Sequence, residues 1–177
     1  GAVVDWLVPM RRLPETAMLD ARLLAGSVTD ADIDRLARRL VRFYGEQAEP
    51  VPLAPGQYRQ RFEQALAASS EGLRDPRFGL PEADLNRLLQ AQQQFLDTTS
   101  GLLADRAGHV CEAHGDLRPE HVCLSEPLVI IDCLEFDRSL RLLDPIDELA
   151  YLALECRRLG NPAAGQRLLR TYGEHSG

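Results

Sequence analysis

The chain has 177 residues, enough for one well-cored domain or a lobe of a larger one, and its 45% apolar and 27% charged residues are ordinary for a soluble globular protein. A net charge of −7 argues against a nucleic-acid partner, which calls for a basic stripe, whereas an acidic face would suit a cationic substrate. The four cysteines at 111, 123, 133 and 156 form no CxxC pair, no charged-then-apolar leader opens the chain, and no apolar run is long enough for a bilayer; the expectation is a cytoplasmic protein with reduced thiols and no membrane partner.

Gly1 to Met10 reads as extended, with β-branched and aromatic residues before a proline turn. Pro14 predicts the start of a helix over Glu15–Leu24, with Gly26 as its stop. Thr29 and Asp32 form a capping box ahead of Ile33, Leu36, Leu40, Val41 and Tyr44, which recur at helical spacing. Glu49 to Gly56, with three prolines, is a connector. Tyr58, Phe62, Leu66 and Leu73 mark one helix or two short ones. Pro81 to about Arg106 reads as one long helix striped by Leu85, Leu88, Leu89, Phe95, Leu96, Leu102 and Leu103, which Gly101 weakens without ending.

The texture changes after Gly108. Val110–Ala113, His121–Leu124 and Leu128–Ile131 read as short strands, the last two joined by a turn at Glu126-Pro127. Ile146–Arg158 and Pro162–Tyr172 return to a helical period. Asp116 follows the first strand and Asp132 the third, so a hairpin between them brings both carboxylates to one edge. Such a pair suits a general base beside a hard divalent cation, although an aspartate after a strand can equally cap a turn.

The string His114-Gly-Asp-Leu-Arg-Pro-Glu-His121 resembles the catalytic loop H-G-D-x-x-x-x-N of aminoglycoside phosphotransferases and choline kinases, and the H-R-D-L-x-x-x-N string of protein kinases. Val129-Ile-Ile-Asp132 resembles their apolar strand and metal-binding aspartate. Asp144-Pro-Ile-Asp-Glu-Leu-Ala150 resembles the D-P-x-x-D-L-A segment of the aminoglycoside group. The resemblance implies an α+β, mostly helical fold: a protein-kinase-like C-terminal lobe over 11–177 whose small β-hairpin insert carries the catalytic loop. It also implies transfer of the γ-phosphate of ATP or GTP, with Mg²⁺ or Mn²⁺, to a small hydroxyl-bearing substrate.

In that resemblance Asp116 orients the proton of the attacking hydroxyl, and Arg118 steadies phosphate charge or is a surface arginine paired with Glu120. Asp132 is a metal ligand, and His114 packs and supports the loop. His121 stands where the family has an asparagine metal ligand, and imidazole suits Mn²⁺ or Zn²⁺ better than Mg²⁺; the alternative is that it only hydrogen-bonds the Asp116 loop. Glu135 and Asp137 would meet a cationic substrate or a second metal, or are simply solvated loop acids, while Asp144 and Asp147 organise a loop and a helix start. Val3 to Val8, with Val4 and Trp6, resembles the hinge strand over 1–10 whose backbone bonds adenine. The string Ile131-Asp-Cys-Leu-Glu-Phe-Asp137 resembles a branch of the family often fused to a C-terminal P-loop ATPase domain.

No N-terminal β lobe, G-x-G-x-x-G or Walker P-loop is present in the sequence, so the expectation is a lobe with weak turnover or none until an N-lobe is supplied. Two other readings stand beside this one. The first is a non-catalytic regulatory or binding remnant attached to an ATPase. The second is a zinc site drawn from some of Cys111, His114, His121, Cys123 and Cys133, although the three cysteines read equally as small core residues.

Overall fold

In the computed structural model, which describes residues 12–176, the helix expected over Glu15–Leu24 is divided. A 3₁₀ turn over Glu15–Ala17 precedes α1, Leu19–Leu24. Between them Met18 is extended and forms an antiparallel bridge to Cys123, while Leu124 N–H donates to the Ala17 carbonyl at 2.7 Å. A long-range pairing thus takes backbone groups that a continuous helix would have used. Gly26 follows the end of α1 at φ +63°, a conformation glycine adopts without a Cβ penalty. The hinge-like stretch over 1–10, with Val4 and Trp6, lies outside the described residues.

The chain forms two compact units, and its order is α+β and mostly helical. One unit takes the segment ending at Gln47, His114–Asp137 and Ile146 onward. Here α2, Asp30–Arg42, starts at the expected capping box, in which the Thr29 and Asp32 side chains each accept the other's backbone N–H. The helix widens into a π turn over Phe43–Gln47. Ile33, Leu36, Ala37 and Leu40 of α2 are buried, and the helix packs on α7, Pro162–His175. Arg167 of α7 ties the two together, donating to both Asp34 oxygens at 2.7 and 2.6 Å and to Asp30 at 2.7 Å.

In the same unit β2, Val122–Cys123, pairs antiparallel with β3, Val129–Ile130, which makes the expected hairpin. Arg35 buttresses its turn by bonding the Leu124 carbonyl at 2.6 Å and pairing with Glu126. Helix α6, Pro145–Arg158, follows, and its Leu149 and Leu152 are fully buried.

The other unit comprises Ala48–Ala113 and Arg138–Pro145. One 19-residue helix, α3 (Pro55–Leu73), begins on its N-terminal proline. The long helix expected over Pro81–Arg106 is instead α4, Glu82–Thr98, and α5, Ser100–Arg106. The break falls at Thr99, before Gly101. The Thr98 and Thr99 hydroxyls bond back to the Gln94 and Phe95 carbonyls at 2.8 and 2.6 Å, and two adjacent β-branched residues with such bonds bend a helix. Tyr58, Leu96, Leu103, Ala107 and Val110 form this unit's core.

Strand β1, Cys111–Glu112, pairs with β4, Leu142–Leu143, a strand not expected from the sequence. At two residues each, these strands are too short to show alternation; the Glu112 carboxylate, held by Arg138 and Arg141, closes the pair from the side. No helix among the described residues is long and apolar enough to cross a membrane.

Candidate functional site

The first unit's loops around His114 and the β2–β3 hairpin bring together four of the residues singled out in the sequence: His114, Asp116, His121 and Asp132. Two imidazoles make the connections. His114 is 7% exposed, and its Nδ1 accepts the Asp116 N–H at 3.3 Å. The opposite nitrogen therefore carries the proton and donates to the Ile131 carbonyl at 2.8 Å. The His114 carbonyl also accepts the Leu134 N–H at 3.1 Å, so His114 grips the Asp132 loop on both sides.

His121 works from the other side of Asp116. Its Nδ1–H donates to the Asp116 carbonyl at 2.7 Å, because a carbonyl can only accept. Its Nε2 lies 3.3 Å from an Asp132 carboxylate oxygen. The His114 and His121 rings stack with centroids 6.0 Å apart and planes 28° from parallel. Both main-chain polar groups of Asp116 are thus held by imidazoles, while its side chain remains 36% exposed. Asp132 has a 75% exposed side chain and a backbone at φ +65°, in the left-handed region that aspartate tolerates better than most residues.

Glu148, to which the sequence reading gave no role, anchors the start of this loop. It is 4% exposed and accepts the His114 N–H at 3.1 Å, the Gly115 N–H and the Tyr44 hydroxyl. Gly115 itself sits at φ +87°, which turns the chain from the strand end toward Asp116. The signal for Glu148 was present: laid on this chain, D-P-x-x-D-L-A puts its second acid at Glu148, one residue after Asp147. Asp147 stands half-buried in the first turn of α6, where a carboxylate complements the helix dipole.

The remaining candidates fall elsewhere. Arg118 pairs with Glu120 at 2.7 Å, and its Nε is buried without a hydrogen-bond partner among the described residues. Its charge, with the Arg158 hydrogen bond as the larger cause, helps hold the Glu155 carboxyl below its ordinary range. Glu135 and Asp137 lie on the exposed stretch after Asp132. Asp144 belongs to the second unit, where it is 2% exposed and receives a bidentate pair from Arg106 at 2.6 and 2.5 Å.

The zinc set is not assembled. Among the described residues no group of three or more His, Cys, Asp or Glu is placed to hold a metal ion. Cys111 is taken into β1, Cys123 is fully buried in β2 with its thiol on Ser125, and Cys133 is exposed.

No family model and no solved structure matches the chain. Curated relatives occur in Mycobacterium bovis and in two strains of Mycobacterium tuberculosis, each named only as an uncharacterised protein. Each is 28% identical over 186 residues that take in all of this chain and 36% of the relative. The chain therefore spans about a third of the length of the curated relatives it matches.

Proposed function

We propose that this chain is the catalytic-loop portion of a kinase-like phosphotransferase acting on a small-molecule hydroxyl, related to the aminoglycoside phosphotransferases. The observation that carries the reading is the two-imidazole frame, which fixes the main chain of Asp116 and points the Asp132 loop at His121. Phosphoryl transfer asks a protein mainly for positioning and charge neutralisation, so an immobile weak carboxylate suffices as base.

Asp116 would orient the substrate hydroxyl and take its proton as the hydroxyl oxygen bonds the γ-phosphorus and the bond to the leaving diphosphate breaks. His114 and Glu148 hold that carboxylate's loop still. Asp132 and, when its ring is neutral, His121 are the residues that would hold a divalent ion. A divalent ion held there would neutralise phosphate charge on ATP or GTP. Nucleotide and water oxygens would have to complete its shell, since no third protein ligand stands nearby among the described residues. Glu135 and Asp137 are exposed acids whose charge would favour a cationic substrate.

The second reading is a non-catalytic binding module, in which the same frame holds nucleotide without turnover. The engagement of Arg118 with Glu120 favours it, because that guanidinium is already committed.

The test is a thermal-shift series on the purified chain with Mg²⁺–ATP, Mn²⁺–ATP and Mn²⁺–GTP, repeated with Asp132→Asn. A ligand at about a hundred times its Kd adds roughly 2.7 kcal/mol, a melting shift of about 5–10 °C for a chain of this size. A nucleotide-dependent shift lost in the variant supports the reading; no shift with any nucleotide sinks it. Transfer of labelled phosphate to a hydroxyl acceptor, lost by about a hundredfold or more in Asp116→Asn, separates the enzyme from the binding module.

A further inference from the structure

We propose that the apolar groove between α3 and α4 is a dimer interface, covered by the same groove of a second copy of this chain. The two helices form a hairpin that buries little of itself. Of the described residues, α3 buries Tyr58 alone and α4 buries Leu85 and Leu96. Helices in water owe most of their stability to tertiary packing of an apolar face, so a hairpin this thin leaves apolar surface to be covered.

The two sides of the hairpin differ in what they offer. One side holds a groove of about 420 Å³ ringed by Glu63, Ser70, Arg74, Asn86, Gln90 and Gln93, groups that water satisfies. The other holds a groove of about 400 Å³ in which, among the described residues, no charged side chain takes part. Phe62, Ala65 and Ser69 of α3 line it together with Ala91, Phe95 and Leu96 of α4. Phe95 is 52% exposed, and Leu88, two turns earlier on the same stripe of α4, is 51% exposed. Charges near this side are drawn away from it, Arg59 toward Glu63 and Asp97 and Arg87 toward Asp84.

Area, charge and shape together name the occupant. At about 1.5 Å per residue the helices are about 25–28 Å long, and with axes about 8–10 Å apart they present a face about 20 Å wide. That is about 500 Å² in projection and more over the side chains, comparable with the roughly 600–1,000 Å² that each member of a stable pair buries. With a net charge of −7, two copies repel over most of their surface, and an uncharged face is where they meet at least cost. The same face gives a highly charged partner nothing to recognise. Bulky Phe62 and Phe95 stand beside small Ala65, Ser69 and Ala91, so a two-fold axis through the groove sets the rings of one copy over the small residues of the other. The product is a four-helix bundle made of two hairpins.

The experiment is sedimentation velocity of the purified chain from about 1 to 200 μM, at low and at high salt. Expected is a monomer–dimer equilibrium with a Kd of about 50 μM or tighter, not weakened when salt rises from about 0.05 to 0.5 M, because apolar burial is not screened. Phe95→Glu sets like charges against each other across the axis and should weaken the dimer by about a hundredfold. Gln92→Glu, at an exposed position in the same groove, should weaken it by about tenfold without touching the packing of the monomer. Gln90→Glu, in the polar groove on the opposite side, should leave the dimer as it is.

A monomer at every concentration overturns the proposal and leaves the groove to a different chain or to solvent. A dimer that dissociates in salt overturns it too, because its contact is then ionic and lies elsewhere. So does a dimer that survives both Phe95→Glu and Gln92→Glu, or one that Gln90→Glu breaks as readily as Gln92→Glu.

Discussion

Glu148 gathers three donors from two different stretches of the first unit, the Tyr44 hydroxyl and the amides of His114 and Gly115, into a site almost without solvent. Hydrogen bonds to a charged acceptor are each worth about 1.5–3 kcal/mol, and buried donors left unpaired cost more than a bond never formed. Glu148→Ala should therefore destabilise the chain by roughly 3 kcal/mol or more, lowering its melting temperature by about 6–12 °C. Glu148→Gln, which keeps one acceptor oxygen, should cost distinctly less. Parallel thermal melts of the two variants check this, and equal losses would show that shape rather than hydrogen bonding matters. The loop acids and histidines were legible in the sequence because each belongs to a short motif with fixed spacing. Glu148 was less so, because two acids stand side by side and only burial selects between them.

At the scale of elements, the α2–α7 pair is held by an acid whose charge depends on its partner. Arg167 hydrogen-bonds Asp34 and is the main reason its carboxyl is lowered to about 2 from the ordinary 3.8, with the Thr171 hydroxyl adding to the effect. A depressed folded-state value stabilises the fold above the unfolded value and loses that contribution as pH falls through the folded one. The stability that Asp34 adds should thus be complete above about pH 4 and fade toward pH 2, and the melting temperature of Asp34→Asn should fall less over that interval than that of the wild type. Equal slopes in melts at pH 2, 3, 4 and 5 would remove Asp34 from the account.

A second element-scale prediction concerns α6 and α7. A Cβ built on Gly165 would lie 2.6 Å from the Ala153 carbonyl oxygen and 3.0 Å from its Cα, both backbone atoms of the neighbouring helix. Gly165→Ala gains about 1 kcal/mol of helix propensity but must push two helices apart, so a net loss of about 1–3 kcal/mol is expected in denaturant titration. A stabilised variant would show that the helices separate freely. The capping box of α2 and the proline start of α7 were readable in advance, since each is settled within four residues, whereas Pro55, read as part of a connector, begins α3. The breaks at Met18 and Thr99 were not, as one depends on a strand more than a hundred residues away and the other on which hydroxyls turn back to the helix.

At the scale of the whole molecule, the first unit is assembled from three separate stretches of chain, and the last of them closes its core. Ala164, Leu168 and Tyr172 of α7 are all buried, and Tyr172 meets Tyr44 edge to face with ring centres 6.1 Å apart. Fully burying a Leu-sized side chain contributes about 1.5–3 kcal/mol, and several such losses rival a total stability of about 5–15 kcal/mol. A chain ending at Gly160 should therefore lose much of its helical signal and its cooperative melt, although α2 keeps every local signal it had. Retention of a sharp transition by circular dichroism would refute that dependence.

The sequence by itself determined the helical character, the capped helix starts, the β2–β3 hairpin and the spacing of Asp116, His121 and Asp132, because each rests on periodicity or on a few adjacent residues. Only the tertiary structure decided that β1 pairs with Leu142–Leu143, that Glu148 anchors the loop, and that one imidazole accepts the Asp116 N–H while another donates to the Asp116 carbonyl. Those outcomes depend on hydrogen bonds between distant segments, and a donor's choice among acceptors is settled by where the folded chain puts them.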